Sequence, residues 1–258
     1  MLTKKFTALG TAAAIYAVIA ATPAMAQEKS MIPGTFSANV ALTSEYLFRG
    51  LSQTDDGPAL QGGFDHEVEV AKPVSVYAGV WGSNVDFGES GAGAGGIDGA
   101  NIELDLYGGL KGNIGDSGLS WDLGFIYYAY PGADSGLNYD FWEIQGAVGY
   151  DFGVASVTAS VNYSPENFGK SGEALYPKLA VDVPVPGVKG LSLSGYVAKQ
   201  YIEKNTVFGT ADYVEWNMGV TYNFAGLFDA NITYSDTDVS PDTDGKEEAI
   251  LFTISKSF

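Results

Sequence analysis

Ala249-Ile-Leu-Phe-Thr-Ile-Ser-Lys-Ser-Phe258 is the stretch that decides the fold of this chain. Ile250, Phe252, Ile254 and Phe258 share one parity, and the other parity is mostly small and polar. Because successive side chains of a strand point to opposite faces, the stretch predicts a β-strand with one apolar face. Chain termini usually fray, so a soluble domain rarely ends on such a strand. A membrane β-barrel requires one, because its last strand pairs with its first and leaves no open edge in lipid.

The N-terminal residues predict export. Two lysines precede an apolar run at 6–21, and Ala24-Met25-Ala26 fits a small-x-small cleavage pattern. We expect a cleaved secretory signal peptide over 1–26 and a short periplasmic segment over 27–35. The alternative is an uncleaved anchor, but the apolar run is shorter than the about 20 residues that a spanning helix needs.

Composition favours an all-β chain. Glycine is abundant, aromatic residues make up 13% of the chain, and no segment after the N-terminus has the apolar length of a spanning helix. The formal net charge of −18 argues against nucleic acid as a partner. The absence of cysteine fits an exported protein whose fold does not use disulfides.

Alternation of apolar and polar residues predicts a transmembrane antiparallel up-and-down β-barrel of about twelve strands over residues 36–258. Long polar connections alternate with short turns, which is the asymmetry of outer-membrane barrels and puts both termini on the periplasmic side. A soluble β-sandwich also has alternating strands, but the loop asymmetry and the aromatic residues near strand ends favour the barrel. Among these aromatic residues are Tyr46 and Phe48, which lie on the apolar parity of the first strand and are expected to face lipid. The predicted strands are 36–49, 59–70, 74–85 (whose facing the pattern leaves open), 101–110, 119–130, 139–150, 154–163, 174–183, 190–202, 212–224, 228–235 and 249–258, the last pairing with the first.

Several motifs then form a recognisable set. They are Ser44-Glu-Tyr-Leu-Phe-Arg-Gly50, Pro58-Ala-Leu-Gln-Gly-Gly-Phe64, Tyr77-Ala-Gly-Val-Trp-Gly-Ser-Asn84, Ile102-Glu-Leu-Asp-Leu-Tyr-Gly108 and Ile126-Tyr-Tyr-Ala-Tyr-Pro-Gly132. The set resembles the TorF-type porin family of proteobacteria and implies a porin-like protein of the bacterial outer membrane. The terminal Phe258 resembles the signal that hands such proteins to the barrel assembly machinery. That machinery, outer-membrane lipid and lipopolysaccharide are therefore expected partners. Lys256 departs from the apolar residue usual in this signal, and we expect it to snorkel to the interface.

The parity opposite the apolar face predicts a lumen rich in carboxylates. Rings of carboxylate favour cations, so we predict a cation-preferring channel for passive diffusion of small solutes or ions, with no cofactor. The alternative is that the acids pair with the two bases and the backbone and plug the lumen. The lumen can be narrow if tyrosines point inward, such as Tyr107, Tyr128, Tyr176 and Tyr213. The predicted bases are Arg49 and Lys178, and the acids are Glu45, Asp65, Glu67, Glu69, Glu103, Asp105, Asp122, Glu143, Asp182, Glu215 and Asp229.

Arg49, the only arginine, is the candidate constriction residue, because it shares a face with Glu45 beside a loop that could fold inward. Its alternative role is a rim contact to lipid phosphate.

A barrel with an adhesive or structural role and no open pore is a second function, and a lipid-directed barrel enzyme is a third. His66 is the only histidine, and no serine pattern beside it suggests an activated nucleophile. The acidic stretch Asp236–Gly245 resembles a Ca²⁺ loop but lacks its ligand spacing.

Overall fold

A computed structural model describes residues 32–88, 99–239 and 248–258, so the predicted signal peptide lies outside the described residues. Within these ranges, twelve antiparallel strands form a closed barrel in which each strand pairs with its neighbours in the chain, as predicted. The hairpin β2–β3 lies inside the first long connection. The strands are β1 (Thr35–Thr43), β2 (Leu47–Phe48), β3 (Leu51–Ser52), β4 (Ala59–Ala71), β5 (Val74–Asn84), β6 (Ile102–Asn113), β7 (Leu119–Ala129), β8 (Phe141–Asp151), β9 (Ser156–Ser164), β10 (Ala174–Pro184), β11 (Leu191–Ile202), β12 (Tyr213–Asn223), β13 (Asp229–Thr237) and β14 (Glu248–Ser257).

Long and short connections lie at opposite ends of the barrel, because every strand is antiparallel to its neighbours. We call these the long-loop end and the turn end. Short helical segments occupy long connections: 3-10 turns at Ser135–Leu137 and Phe168–Lys170, and the helix α1 at Asn205–Phe208. In the described ranges, no helix has the length and apolar character needed to cross a bilayer.

The outer face of the barrel is apolar. Leu60, Met218, Ile232 and Phe252 project outward and are between 52% and 66% exposed to water. A contiguous apolar surface of this kind is stable only when hydrocarbon covers it, so the face fits a bilayer. Aromatic rings also stack near the turn end, where Phe224 lies 4.8 Å from Tyr222 and 4.6 Å from Phe228, as in the interfacial girdle of such barrels.

The closing strand pairs with the first strand, as the sequence predicts. β14 and β1 are antiparallel, with Thr43 opposite Thr253 and Asn39 opposite Ser257. The Thr253 hydroxyl donates to the Thr43 hydroxyl at 2.9 Å, which joins the two strands on the lumen side. The Lys256 ammonium donates to the carbonyl of Gly226 in the last turn. This contact is the snorkelled position expected for that lysine.

The first strand is shorter than predicted, and two residues predicted to face lipid at its end lie inside the barrel. β1 ends at Thr43, not at Arg49, and the chain then bends into the barrel. Arg49 and Gly50 have φ values of 52° and 76°, which a strand cannot accommodate. Tyr46 and Phe48, predicted to face lipid, therefore lie inside, and Tyr46 is 4% exposed. Parity along the sequence does not hold past the bend.

Candidate functional site in the barrel lumen

The first long connection, loop L1 (44–58), places its β2–β3 hairpin inside the lumen. The positive φ values of Arg49 and Gly50 form the tight tip of this hairpin. Tyr213 on β12 donates its hydroxyl to the carbonyl of Arg49 at 2.9 Å. Loop L1 is therefore attached to a distant wall of the barrel, and its tip crosses the lumen.

The Arg49 guanidinium is buried in the lumen as an ion pair. Its Nη2 lies 2.6 Å from both carboxylate oxygens of Glu143 on β8, and its Nη1 donates to Gln200 on β11 at 2.8 Å. The guanidinium carbon lies 4.2 Å from the ring centroid of Tyr176 and 4.8 Å from that of Phe48. Burial by itself lowers the pKa of Arg49, but the charge of Glu143 raises it above the ordinary value. Arg49 thus remains a cation, and it holds the tip of loop L1 to two strands.

A second attachment joins loop L1 to β6. Tyr46 donates its hydroxyl to one oxygen of Glu103 at 2.8 Å, and Tyr130 donates to the other at 2.9 Å. Burial, and then the charge of Glu103, raises the pKa of Tyr46 well above its ordinary value, so Tyr46 donates as a neutral phenol. Asp105 lies beside Glu103 on the same face of β6 and has no exposed surface.

A third buried acid, Glu215 on β12, lies next to the tip of loop L1. It accepts hydrogen bonds from the hydroxyls of Tyr176 and Tyr196, the latter at 3.0 Å. The Lys178 ammonium lies 5.3 Å from the centroid of the Tyr196 ring and 5.9 Å from that of Tyr176. Together with Glu103, Asp105 and Glu143, this acid forms a buried polar layer across the barrel.

Aromatic side chains fill the lumen between this layer and the long-loop end. They stack at short range, with Tyr139 at 4.3 Å from Phe168 and Tyr128 at 4.4 Å from Phe141, measured between ring centroids. The sequence predicts the inward direction of Tyr128, which is 2% exposed, but it does not predict the rest of this aromatic cap. Its members are Tyr46, Phe48, Trp81, Phe87, Tyr128, Tyr130, Tyr139, Phe141 and Phe168.

The lumen near the turn end is a vestibule lined by acids, of which Asp65 and Glu67 are partly exposed and Asp122 is 5% exposed. Tyr107 donates to Asp65 at 2.5 Å and Tyr77 donates to Asp122 at 2.9 Å. Lys111 pairs with Glu67 at 2.7 Å, where these side chains are 15% and 31% exposed. The sequence prediction of only two lumen bases is therefore wrong. It ended the fourth strand at residue 110, whereas β6 continues to Asn113.

The predicted pore-lining residues divide between these two regions, with one exception. Glu45 lies in the bend that begins loop L1, where its carbonyl accepts from the Thr43 hydroxyl. The residues in the buried layer are Arg49, Glu103, Asp105, Glu143, Lys178 and Glu215. The residues on the vestibule side are Asp65, Glu67, Glu69, Asp122, Asp182 and Asp229. In the described part of the chain, no cluster of three or more acidic, histidine or cysteine side chains could hold a metal ion. The acidic stretch at 236–245 falls mostly outside the described residues.

His66 lies away from the lumen. Its ring stacks on Phe36 with centroids 4.4 Å apart, and its Nε2 lies 2.8 Å from the carbonyl oxygen of Pro33. The position agrees with the outward parity predicted from sequence. It joins the histidine to the N-terminal segment rather than to the polar layer.

A closed antiparallel barrel with an apolar outer face and a polar lumen is the fold of outer-membrane porins and channels. This chain has that fold, and it belongs to the Gcw_chp family, described as a bacterial protein of unknown function, whose model matches residues 26–258. The TorF-type label remains a prediction from sequence motifs. No curated protein sequence matches this chain.

Solved structures with the same fold include porins and channels. The KdgM porin is 8% identical with a TM-score of 0.54, and the match covers 86% of this chain and 98% of that one. An outer membrane channel from Pseudomonas putida F1 is 11% identical with a TM-score of 0.50, covering 92% and 100% of the two chains. A structure from work on in-meso crystallization of membrane proteins is 12% identical with a TM-score of 0.55, covering 86% and 83%. These likenesses concern the fold alone.

Proposed function

We propose that this protein is a bacterial outer-membrane channel for passive diffusion of small solutes or ions, with a preference for cations. The observation that carries the proposal is a lumen lined by carboxylates inside a barrel whose outer face is apolar. The resemblance of the N-terminal motifs to the TorF-type porin family supports the same function.

Charge in the lumen favours cations along the whole path. Among the described residues, the vestibule carries the acids Asp65, Glu67 and Asp122 and the base Lys111. The buried layer carries four acids against two bases. Carboxylates in a confined space of low dielectric raise the local concentration of cations and repel anions.

Loop L1 is the constriction of the proposed channel. In the described conformation water does not reach Glu103 or Glu215, which are both 0% exposed, because loop L1 and the aromatic cap fill the lumen. Passage therefore requires the tip of loop L1 to leave the layer. The bonds that must break are those of Arg49 to Glu143, Tyr46 to Glu103 and Tyr213 to the Arg49 carbonyl.

Planar-bilayer recordings under a potassium chloride gradient test the proposed function. We expect a reversal potential of cation-selective sign. The combined neutralisation of Asp65, Glu67 and Asp122 to Asn, Gln and Asn keeps the shape of these side chains and should move the reversal potential toward zero. Asp116→Asn, in the exposed turn at 114–118, is the control and should leave it unchanged. An anion-selective reversal potential in the unmodified protein would contradict the proposed cation preference.

A barrel with a structural or adhesive role is the second candidate, favoured by the filling of the lumen by loop L1 and the aromatic cap. This role requires no conductance in the unmodified protein and none after loop L1 is displaced. The position of His66 does not favour a lipid-directed enzyme, because its ring nitrogen contacts the Pro33 carbonyl rather than a serine hydroxyl.

A further inference from the structure

Two carboxyl groups lie side by side in the buried layer without a counter-charge of their own. Glu103 and Asp105 are two residues apart on β6, both face the lumen, and both are 0% exposed. On the adjoining strands, Trp81 of β5 and Tyr128 of β7 are the register partners of Asp105. Of the two bases of the layer, Arg49 is engaged by Glu143, and Lys178 lies at the rings of Tyr176 and Tyr196, which donate to Glu215.

The hydrogen bonds differ between the two acids. Glu103 accepts one phenol hydroxyl on each of its oxygens, from Tyr46 and Tyr130, which is the pattern of an ionised carboxylate. Neither oxygen of Asp105 accepts from any donor in the described part of the chain. The neighbouring group that interacts with Asp105 on its own strand is the carboxyl of Glu103, two residues before it on the same face of β6.

Two ionised carboxylates in contact inside a dry layer would repel each other strongly, and a buried charge without a partner carries a large desolvation cost. The pair therefore needs a positive ligand. A metal ion does not fit, because in the described ranges no cluster of three or more ligating side chains surrounds the pair. The hydroxyls of Tyr46 and Tyr130 also donate to Glu103, so the positive ends of two dipoles already face the oxygens that a metal ion would need.

We propose that Glu103 and Asp105 form a proton-binding site, in which Asp105 is a neutral carboxylic acid that donates its proton to the carboxylate of Glu103. The arrangement satisfies the otherwise unpartnered Asp105 and leaves one negative charge for the two tyrosine donors. Because one of these donors is Tyr46 of loop L1, the bound proton stabilises the inward position of that loop.

The site gives the inward position a dependence on pH. The other titratable groups that face it are Tyr107 on β6, Tyr46 from loop L1, Tyr130 from the loop after β7, Tyr128 on β7 and Glu143 on β8, whose charge Arg49 balances. The plugged state holds the proton, whereas a state with a hydrated lumen releases it. By linkage, low pH favours the plugged state and rising pH favours release of loop L1. The effect of this release on conductance rests on the proposed channel function.

Infrared spectroscopy of the purified full-length barrel tests the proton site without reference to transport. The unmodified protein should show, at neutral pH, the carbonyl band of a protonated carboxylic acid that resists exchange with bulk water. Asp105→Asn should lose this band while keeping the fold, because an amide also donates to Glu103. Glu103→Gln should lose it too, since its amide can donate to an ionised Asp105. Asp182→Asn, a lumen acid that is partly exposed, is the control and should retain it.

Absence of the band from the unmodified protein, or its persistence in both Asp105→Asn and Glu103→Gln, would overturn the proposed site. Gel mobility of heated and unheated samples verifies folding, and if one variant does not fold the other decides.

Bilayer conductance should rise with pH in the unmodified protein, and Asp105→Asn should lose that dependence. A conducting protein whose pH dependence persists in Asp105→Asn would overturn the link between the proton and loop L1. The correct band without conductance would support the proton site and count against the channel.

Discussion

At the scale of single residues, Arg49 and Glu143 form the contact on which the arrangement of the lumen depends. Their side chains are 8% and 1% exposed, so removal of one partner leaves an unbalanced buried charge. We predict that Glu143→Gln lowers the free energy of unfolding by about 3–5 kcal/mol. Denaturant unfolding of the barrel in lipid vesicles measures this change.

The matched control is the exposed pair of Lys204 and Glu166, whose charged atoms are 3.7 Å apart and whose side chains are 45% and 52% exposed. Glu166→Gln should change the free energy of unfolding by less than about 1 kcal/mol. Equal, small effects of the two substitutions would mean that Arg49 does not lie buried against Glu143 in the membrane.

At the scale of elements, loop L1 is held in the lumen by the close approach of its tip to the wall. A Cβ atom added to Gly50, which has a φ of +76°, would lie 2.4 Å from the Thr237 methyl carbon. We predict that Gly50→Ala displaces loop L1, raises single-channel conductance and exposes the loop to protease. Gly132→Ala is the control, because Gly132 has a φ of +92° but no atom within 4 Å of an added Cβ. If Gly50→Ala and Gly132→Ala have the same conductance, the close approach of residue 50 to Thr237 does not hold loop L1 in the lumen.

At the scale of the whole molecule, the barrel separates a lipid face from a water face at every strand. Ile232 and Thr233 are adjacent in the middle of β13, and Ile232 is 52% exposed on the outer face while Thr233 faces the lumen. We predict that Ile232→Arg makes folding into lipid vesicles less favourable by about 2–4 kcal/mol, because a charge then faces hydrocarbon. Thr233→Arg should cost less, because its guanidinium reaches the aqueous vestibule. Equal costs would contradict the assignment of the two faces.

What the sequence by itself determined is local and periodic. Alternation along Ala249–Phe258 predicts its strand and its lipid face, and the alternating loop lengths predict an up-and-down barrel closed against β1. These features are readable because the side-chain period of a strand is two wherever the backbone is extended. The same rule predicted the inward direction of Glu103, Glu143 and Glu215.

Only the tertiary structure decided what the lumen contains. The bend after Thr43 moves Tyr46 and Phe48 from the predicted lipid face to the interior, and parity carries no information about a chain that leaves the sheet. The contacts that hold the bend join residues far apart in sequence, as Arg49 with Glu143 and Tyr213. These contacts form only when the barrel closes around loop L1. An alternating pattern therefore specifies the wall, whereas the folding of that wall around a loop specifies the plug.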